Sequence, residues 1–293
     1  QFEAKKDEIN SNFDFFDCFE EYLTSGSLIK SYNTIKAQRT IKNYLKTFEE
    51  ETGFVITFDK LNDLFYEELM KYSFFEKEIK NNYFAKIIAV LKSFVRWSID
   101  KNYTTNRDFE KFKGIEHDVD IIYLTYDELI KLYNHDFENS RLNHVKDFYC
   151  MGCFTGLRFS DLSQLHRANI TETHINISIQ KTKTQNHIIS LNKFSKEILD
   201  KYRGTIYEPL PKISQQKFND YIKDCCEIIE LDKPTTITWF IGTKKVQNTV
   251  PKHQLITSHT ARKTFITNSL LLGMEPKAIK KIANIKKDAV LDK

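Results

Sequence analysis

Ser258-His259-Thr260-Ala261-Arg262-Lys263-Thr264-Phe265-Ile266-Thr267 is the stretch around which the rest of this 293-residue chain is read. Wound as a helix, it puts His259 and Arg262 three residues apart on one face. Phe265 and Ile266 continue the turn on the apolar side and would anchor it in a core. An imidazole beside a guanidinium, held by buried neighbours, suits a phosphate or a carboxylate. The guanidinium offers a planar pair of donors, and the imidazole offers a hydrogen bond or a proton. A lone His-x-x-Arg is most often two solvated residues on a helix. A second stretch upstream changes the weight of the first: Thr155-Gly156-Leu157-Arg158-Phe159-Ser160-Asp161-Leu162 sets another arginine just after a glycine turn. Arg158 is expected at a helix end, with Ser160 capping the helix that follows.

The chain is long for a single core, so two domains are expected. Hydrophobic residues make up 41% and aromatic residues 13%, which excludes disorder as the main state. No apolar run reaches membrane-spanning length and no signal peptide opens the chain, so a cytoplasmic protein without membrane contact is expected. The first residue is Gln1 rather than Met, as in a trimmed or partial chain. The cysteines are Cys18, Cys150, Cys153, Cys225 and Cys226, an odd number. Cys150 and Cys153 form a Cys-x-x-Cys inside an apolar helical pattern, and no second pair stands at zinc-ligand spacing. Buried free thiols in a reducing compartment are the expectation, with no metal site. Residues 1–115 hold 18 lysines and arginines against 19 acidic residues, and the remainder holds 26 against 21, so the net charge of +4 resides in the C-terminal part. That tilt suits a polyanion, although a positive excess also serves solubility alone.

Taken in order, Phe13, Phe16, Phe19 and Leu23 recur at helical spacing, and Ile35, Ile41, Leu45 and Phe48 mark a second helix closed by Gly53. A short extended piece at Val55-Ile56-Thr57-Phe58 precedes a third helix with Leu61, Leu64, Phe65, Leu69 and Tyr72. Phe84, Ile87, Ile88, Leu91, Phe94, Val95 and Ser98 form a wide helical stripe. Residues 1–103 therefore read as a compact helical domain, and polar residues 104–119 as a linker. Order resumes at a capping box, Thr125 with Glu128, and a buried helix is expected from Val145 to Phe154. The period then becomes two: Ile175, Ile177 and Ile179 alternate, as do Ile189 and Leu191, giving a β-hairpin with Lys181 and Lys183 at its tip. Helices return at 194–202 and 214–229. Pro234, Gly242 and Pro251 mark a long connection before the His259 helix, which runs to Gly273, and Glu275-Pro276 opens a last one.

Arg158 on its glycine turn, the hairpin lysines, and His259 with Arg262, in that order, resemble the catalytic domain of the tyrosine recombinases, the phage-integrase family. Thr155–Leu162 looks like that family's first arginine box and Ser258–Thr267 like its His-x-x-Arg box. The resemblance covers residues 120–293, and the helical residues 1–103 are similar to the core-binding domain that clamps the other face of DNA. The implied architecture is mostly α: an all-helical core-binding domain and an α-rich catalytic domain with a small antiparallel β-sheet. The implied partner is double-stranded DNA, bound by Lys181, Lys183, Arg158, Arg262 and Lys263. A monomer without DNA would assemble as a homo-tetramer on two duplexes, and no cofactor would be needed.

The chemistry suits these residue types. A phosphodiester undergoing transesterification gathers negative charge on its oxygens, and two fixed arginines, charged at neutral pH, can grip it from different parts of a fold. His259 would bind the same phosphate or help deprotonate the nucleophile. A hairpin lysine would protonate the leaving 5′-oxygen, Lys181 by the family's register and Lys183 as its alternative. Either lysine could equally hold the DNA backbone. Asp161 reads as a support that orients the arginine or the histidine, or as a first-turn acid favoured by the helix dipole. Two features depart from the family. The position of its second His or Trp is occupied by Ile285, whose role would pass to Asn284 or Lys286. No tyrosine follows Tyr221, so the nucleophile of a 3′-phosphotyrosyl reaction is expected immediately after Lys293. A site-specific recombinase or integrase of a mobile element is the first reading. A catalytically inactive DNA-binding regulator on the same fold is the second. A metal-dependent nuclease is third, and it lacks an Asp/Glu cluster for two metals.

Overall fold

In this computed structural model, residues 13–179, 182 and 184–286 are described. The fold is mostly α, with two small antiparallel sheets. It divides into two compact units, Gln1–Val119 with Thr238–Gln247, and Asp120–Ile237 with Asn248–Lys293.

Among the described residues, four α-helices build the first unit: α1 (Phe15–Ser27), α2 (Tyr32–Thr52), α3 (Asp63–Lys71) and α4 (Asn81–Asp100). Asp14 caps α1 by accepting from the backbone N–H of Phe16 and Asp17, and Gly53 closes α2 in the left-handed region. The whole stripe expected on α4 is buried, and its Phe94 stacks on Phe19 with ring centroids 4.2 Å apart. On α1 the buried face is turned by about one position from the expected one. Phe15, Phe19, Tyr22 and Leu23 enter the core, while Phe13 stands half-exposed ahead of the helix. Phenylalanines at 13, 15, 16 and 19 give a helical period no unique phase, and Asp14 as cap decides it. Residues 104–119, expected as a linker, are packed in part: Phe109 and Phe112, on and just after a short 3-10 turn, are fully buried in this core. Val55–Phe58 is partly extended, and Phe58 opens another 3-10 turn.

The second unit is arranged around α6 (Ser140–Thr155), which is buried on all sides from Val145 onward. Around it pack α5 (Tyr126–Asn134), α8 (Lys193–Tyr202), α9 (Gln215–Ile228) and α10 (Ser258–Leu271). That environment explains Cys150 and Cys153 on α6 and Cys225 and Cys226 on α9, all free and buried, and burial pushes the Cys150 and Cys153 thiols well above their usual range; Cys18, on α1, is free and buried in the first core. The capping box on α5 forms, with Thr125 Oγ1 accepting from Glu128 N–H and Glu128 Oε2 from Thr125 N–H. Thr125→Ala is expected to cost about 1 kcal/mol and to lower the melting midpoint of this unit by about 2–4 °C in calorimetry.

A three-stranded antiparallel sheet follows α7 (Phe159–Leu162) in the chain, ordered β1 (Asn169–Ile170), β2 (His174–Ile179), β3 (Thr184–Ser190). Ile175 opposes Ile189 as alternation requires, and His187 takes the inward position opposite Ile177. One expectation is overturned. The long connection between Pro234 and Pro251 is a hairpin of β4 (Pro234–Ile241) and β5 (Lys244–Pro251), turning at Gly242 with positive φ. The prolines mislead because each lies at a strand end, where a missing N–H removes no ladder bond. The chain ends its described part with α11 (Pro276–Ile282) and the residues to Lys286.

Candidate active site

Gly156 ends α6 with φ +69°. The two residues after it turn the chain so that Arg158 becomes the N-cap of α7, its carbonyl accepting from Asp161 and Leu162. Ser160 is thus inside α7 rather than its cap, because Arg158 already holds the extended backbone that a cap needs. The Arg158 side chain is 22% exposed, and its Nη1 lies 3.9 Å from Oδ2 of the buried Asp161. Nη1 has no hydrogen-bond partner among the described residues.

Arg262 comes from the first half of α10 and is 8% exposed. Its Nη1 donates to the Gly156 carbonyl at 2.7 Å, so the glycine that starts the Arg158 turn also holds the second guanidinium. Burial is the chief cause that lowers the Arg262 pKa to about 10; the nearby positive charge of Arg158 adds to it, and Asp161 opposes it. Arg262 therefore still carries its charge at neutral pH. Phe265 seals the corner from α10: a Cβ placed on Gly156 would stand 2.6 Å from its ring. Two boxes a hundred residues apart in sequence thus meet through one glycine.

His259 lies in the first turn of α10, three residues before Arg262, and is exposed. Phe265 is buried as expected, and Ile266 only partly. Lys263 is partly buried, which lowers its pKa, while Asp120 raises it. Lys181 and Lys183 lie outside the described residues, as does everything after Lys286.

Ile285 is 8% exposed and packs with Phe265, Ile279 and Ala283, so this position is given to the core. Its neighbours are directed to the β2–β3 hairpin. Asn284, at φ +48°, donates to Thr182 Oγ1 at 2.7 Å and Thr184 Oγ1 at 3.0 Å, and Lys286 Nζ donates to the Thr182 carbonyl. Sequence reasoning also missed Asn219 and Gln215 on α9, which hold the start of α10 through Ser258. Their four-residue spacing places them on one helix face, but no local pattern reveals what that face meets. Among the described residues no group of three His, Cys, Asp or Glu could hold a metal ion, and no helix is long and apolar enough to cross a membrane.

No family model matches the sequence, and neither does any curated protein. Solved structures do match. A lambda integrase dimer bound to a COC′ core site aligns with a TM-score of 0.70 at 14% identity, over 94% of this chain and 93% of that one. The fold is that of the tyrosine recombinases. A lambda integrase tetramer bound to a Holliday junction has the same recombinase fold, with a TM-score of 0.67 at 17% identity, over 100% of this chain and 84% of that one. A variant of the Tn1549 transposon integrase in complex with transposon right end DNA gives 0.70 at 13%, over 95% and 93%. At these identities the likeness is one of fold.

Proposed function

We propose that this chain is a DNA strand transferase, a site-specific recombinase or integrase of a mobile element. Arg158 and Arg262 grip the scissile phosphate, and His259 binds it or assists the nucleophile. The observation that carries this reading is the Arg262–Gly156 hydrogen bond, which joins the two arginine stretches into one site. Charge that develops on the phosphoryl oxygens meets donors already in place, so little reorganisation is needed. A lysine of the β2–β3 turn, Lys181 or Lys183, protonates the departing 5′-oxygen. The nucleophile is a tyrosine that follows Lys293, and the bond energy is kept in a 3′-phosphotyrosyl link without metal or cofactor. Lys263 contributes backbone contact, and four protomers act on two duplexes. A DNA-binding regulator without catalysis is the second reading, favoured only by the buried, non-hydrogen-bonding Ile285.

The first unit offers a second binding surface despite its acidic balance. No acidic residue lies between Glu21 and Glu49 or between Glu78 and Asp100. The exposed stripe of α2 therefore reads Asn33, Lys36, Thr40 and Asn43, and that of α4 reads Asn82, Lys86, Ala89, Ser93 and Arg96. The Tyr22 hydroxyl bonds both Gln38 of α2 and Ser93 of α4, which keeps the two helices adjacent. Arg39 and Lys42 are paired with Glu20, and Lys36 and Lys86, one cation from each stripe, are the ones to change. Duplex affinity is expected to fall steeply with salt, and the Lys36→Ala/Lys86→Ala double variant to flatten the log–log slope by about 2. An unchanged slope in gel-shift titrations would remove this surface from the interface.

A further inference from the structure

The first turn of α10 has backbone N–H groups that the helix itself cannot satisfy, and such turns open easily. Two other helices hold it. From α6, the Tyr149 hydroxyl meets Thr260 Oγ1 at 2.9 Å, and the same Oγ1 accepts the N–H of Thr257 at 3.1 Å. From α9, Asn219 Oδ1 accepts the N–H of Ser258 at 2.8 Å, and Gln215 Nε2 donates to Ser258 Oγ at 3.0 Å. Ser258 is buried and directly precedes His259, which is exposed. Arg262, one turn on, has its own anchor in the Gly156 carbonyl. The two members of the His-x-x-Arg stretch thus have different supports: the arginine the Gly156 carbonyl, and the turn that carries the histidine Tyr149 on one side and the α9 contact to Ser258 on the other.

We infer that Asn219, backed by Gln215, is a positioning residue that sets the His259 imidazole against the phosphate held by Arg158 and Arg262. This rests on the reading of those three residues as one phosphate site. An error of about 1 Å in such a group is enough to lose most of its effect. The requirement at position 219 is an oxygen acceptor for the Ser258 N–H. Aspartate supplies one and leucine does not. Neither change unseats α9, whose hold on the core comes from the fully buried Phe218 and Ile222.

The test is a titration of the 293-residue chain with inorganic phosphate at fixed pH, followed by NMR on the ring protons of His259 and the Nε–H of Arg262. In the wild type both signals move together and saturate. Asn219→Leu is expected to weaken the His259 response by about fivefold, the effect of one lost hydrogen bond, with the Arg262 response kept. Asn219→Asp should restore His259 to within about twofold of wild type. An unchanged His259 response in Asn219→Leu overturns the inference. So does parallel loss of both responses, which would mark Asn219 as a general support of the fold. Silence from both groups in the wild type overturns the phosphate-site reading itself, and this inference with it.

Discussion

Arg158→Lys and Arg262→Gln are each expected to slow DNA cleavage by about 10³ while changing duplex affinity by no more than about fivefold. Lysine at 158 keeps a positive charge but loses the two-pronged donor that matches a phosphoryl group. Glutamine at 262 removes the charge, and its amide nitrogen, two bonds nearer the backbone than Nη1, gives up the bond to the Gly156 carbonyl as well. On the proposed reading, affinity is spread over many backbone contacts, of which these would be two. The assay is single-turnover nicking of a suicide duplex by a chain extended to include the proposed tyrosine, beside a gel shift with the same DNA. Near wild-type nicking by either variant would remove that arginine from the site.

Gly156→Ala should be the most damaging single methyl group in the second unit, with a loss of about 2–4 kcal/mol. Part of that is the left-handed backbone at φ +69°, and part is the Phe265 ring that the new Cβ would meet at 2.6 Å. Gly204 separates the two, since it has φ +72° in the same unit with nothing within 4 Å of its would-be Cβ. Gly204→Ala should therefore cost only about 1 kcal/mol, the backbone part alone. Chemical denaturation of both variants measures the difference. Equal losses would mean that Phe265 moves aside freely and that the α6–α10 corner is looser than the 2.6 Å approach implies. The Arg262 anchor depends on that corner, because its acceptor is the Gly156 carbonyl itself.

The stripe on α4 was legible because seven of its positions keep one helical phase and no acidic residue interrupts them. The buried α6 was legible for a different reason, its lack of any polar face from Val145 to Thr155. Arg158, His259 and Arg262 were marked by the turn glycine and by i, i+3 spacing, both local signals. What stayed hidden depended on partners far along the chain. Nothing near Asn219 indicates Ser258, and nothing near Asn284 indicates Thr182 and Thr184. The β4–β5 hairpin was missed because its end prolines and central glycine resemble loop punctuation, although Thr, Ile, Trp and Phe between them favour strands. Phe109 and Phe112 were passed over for a similar reason: two aromatic residues in a polar stretch make no period, yet both fill the first core.

The most direct measurement is denaturing electrophoresis, with peptide mapping, of the chain continued through its natural downstream residues and mixed with a nicked duplex spanning its crossover site in the presence of chelator. The expected product is a protein–DNA adduct linked through a 3′-phosphate to a tyrosine just after Lys293, absent when Arg262 is replaced by glutamine. Binding by gel shift without any adduct, or cleavage that stops when divalent metal is removed, would contradict the proposed reading.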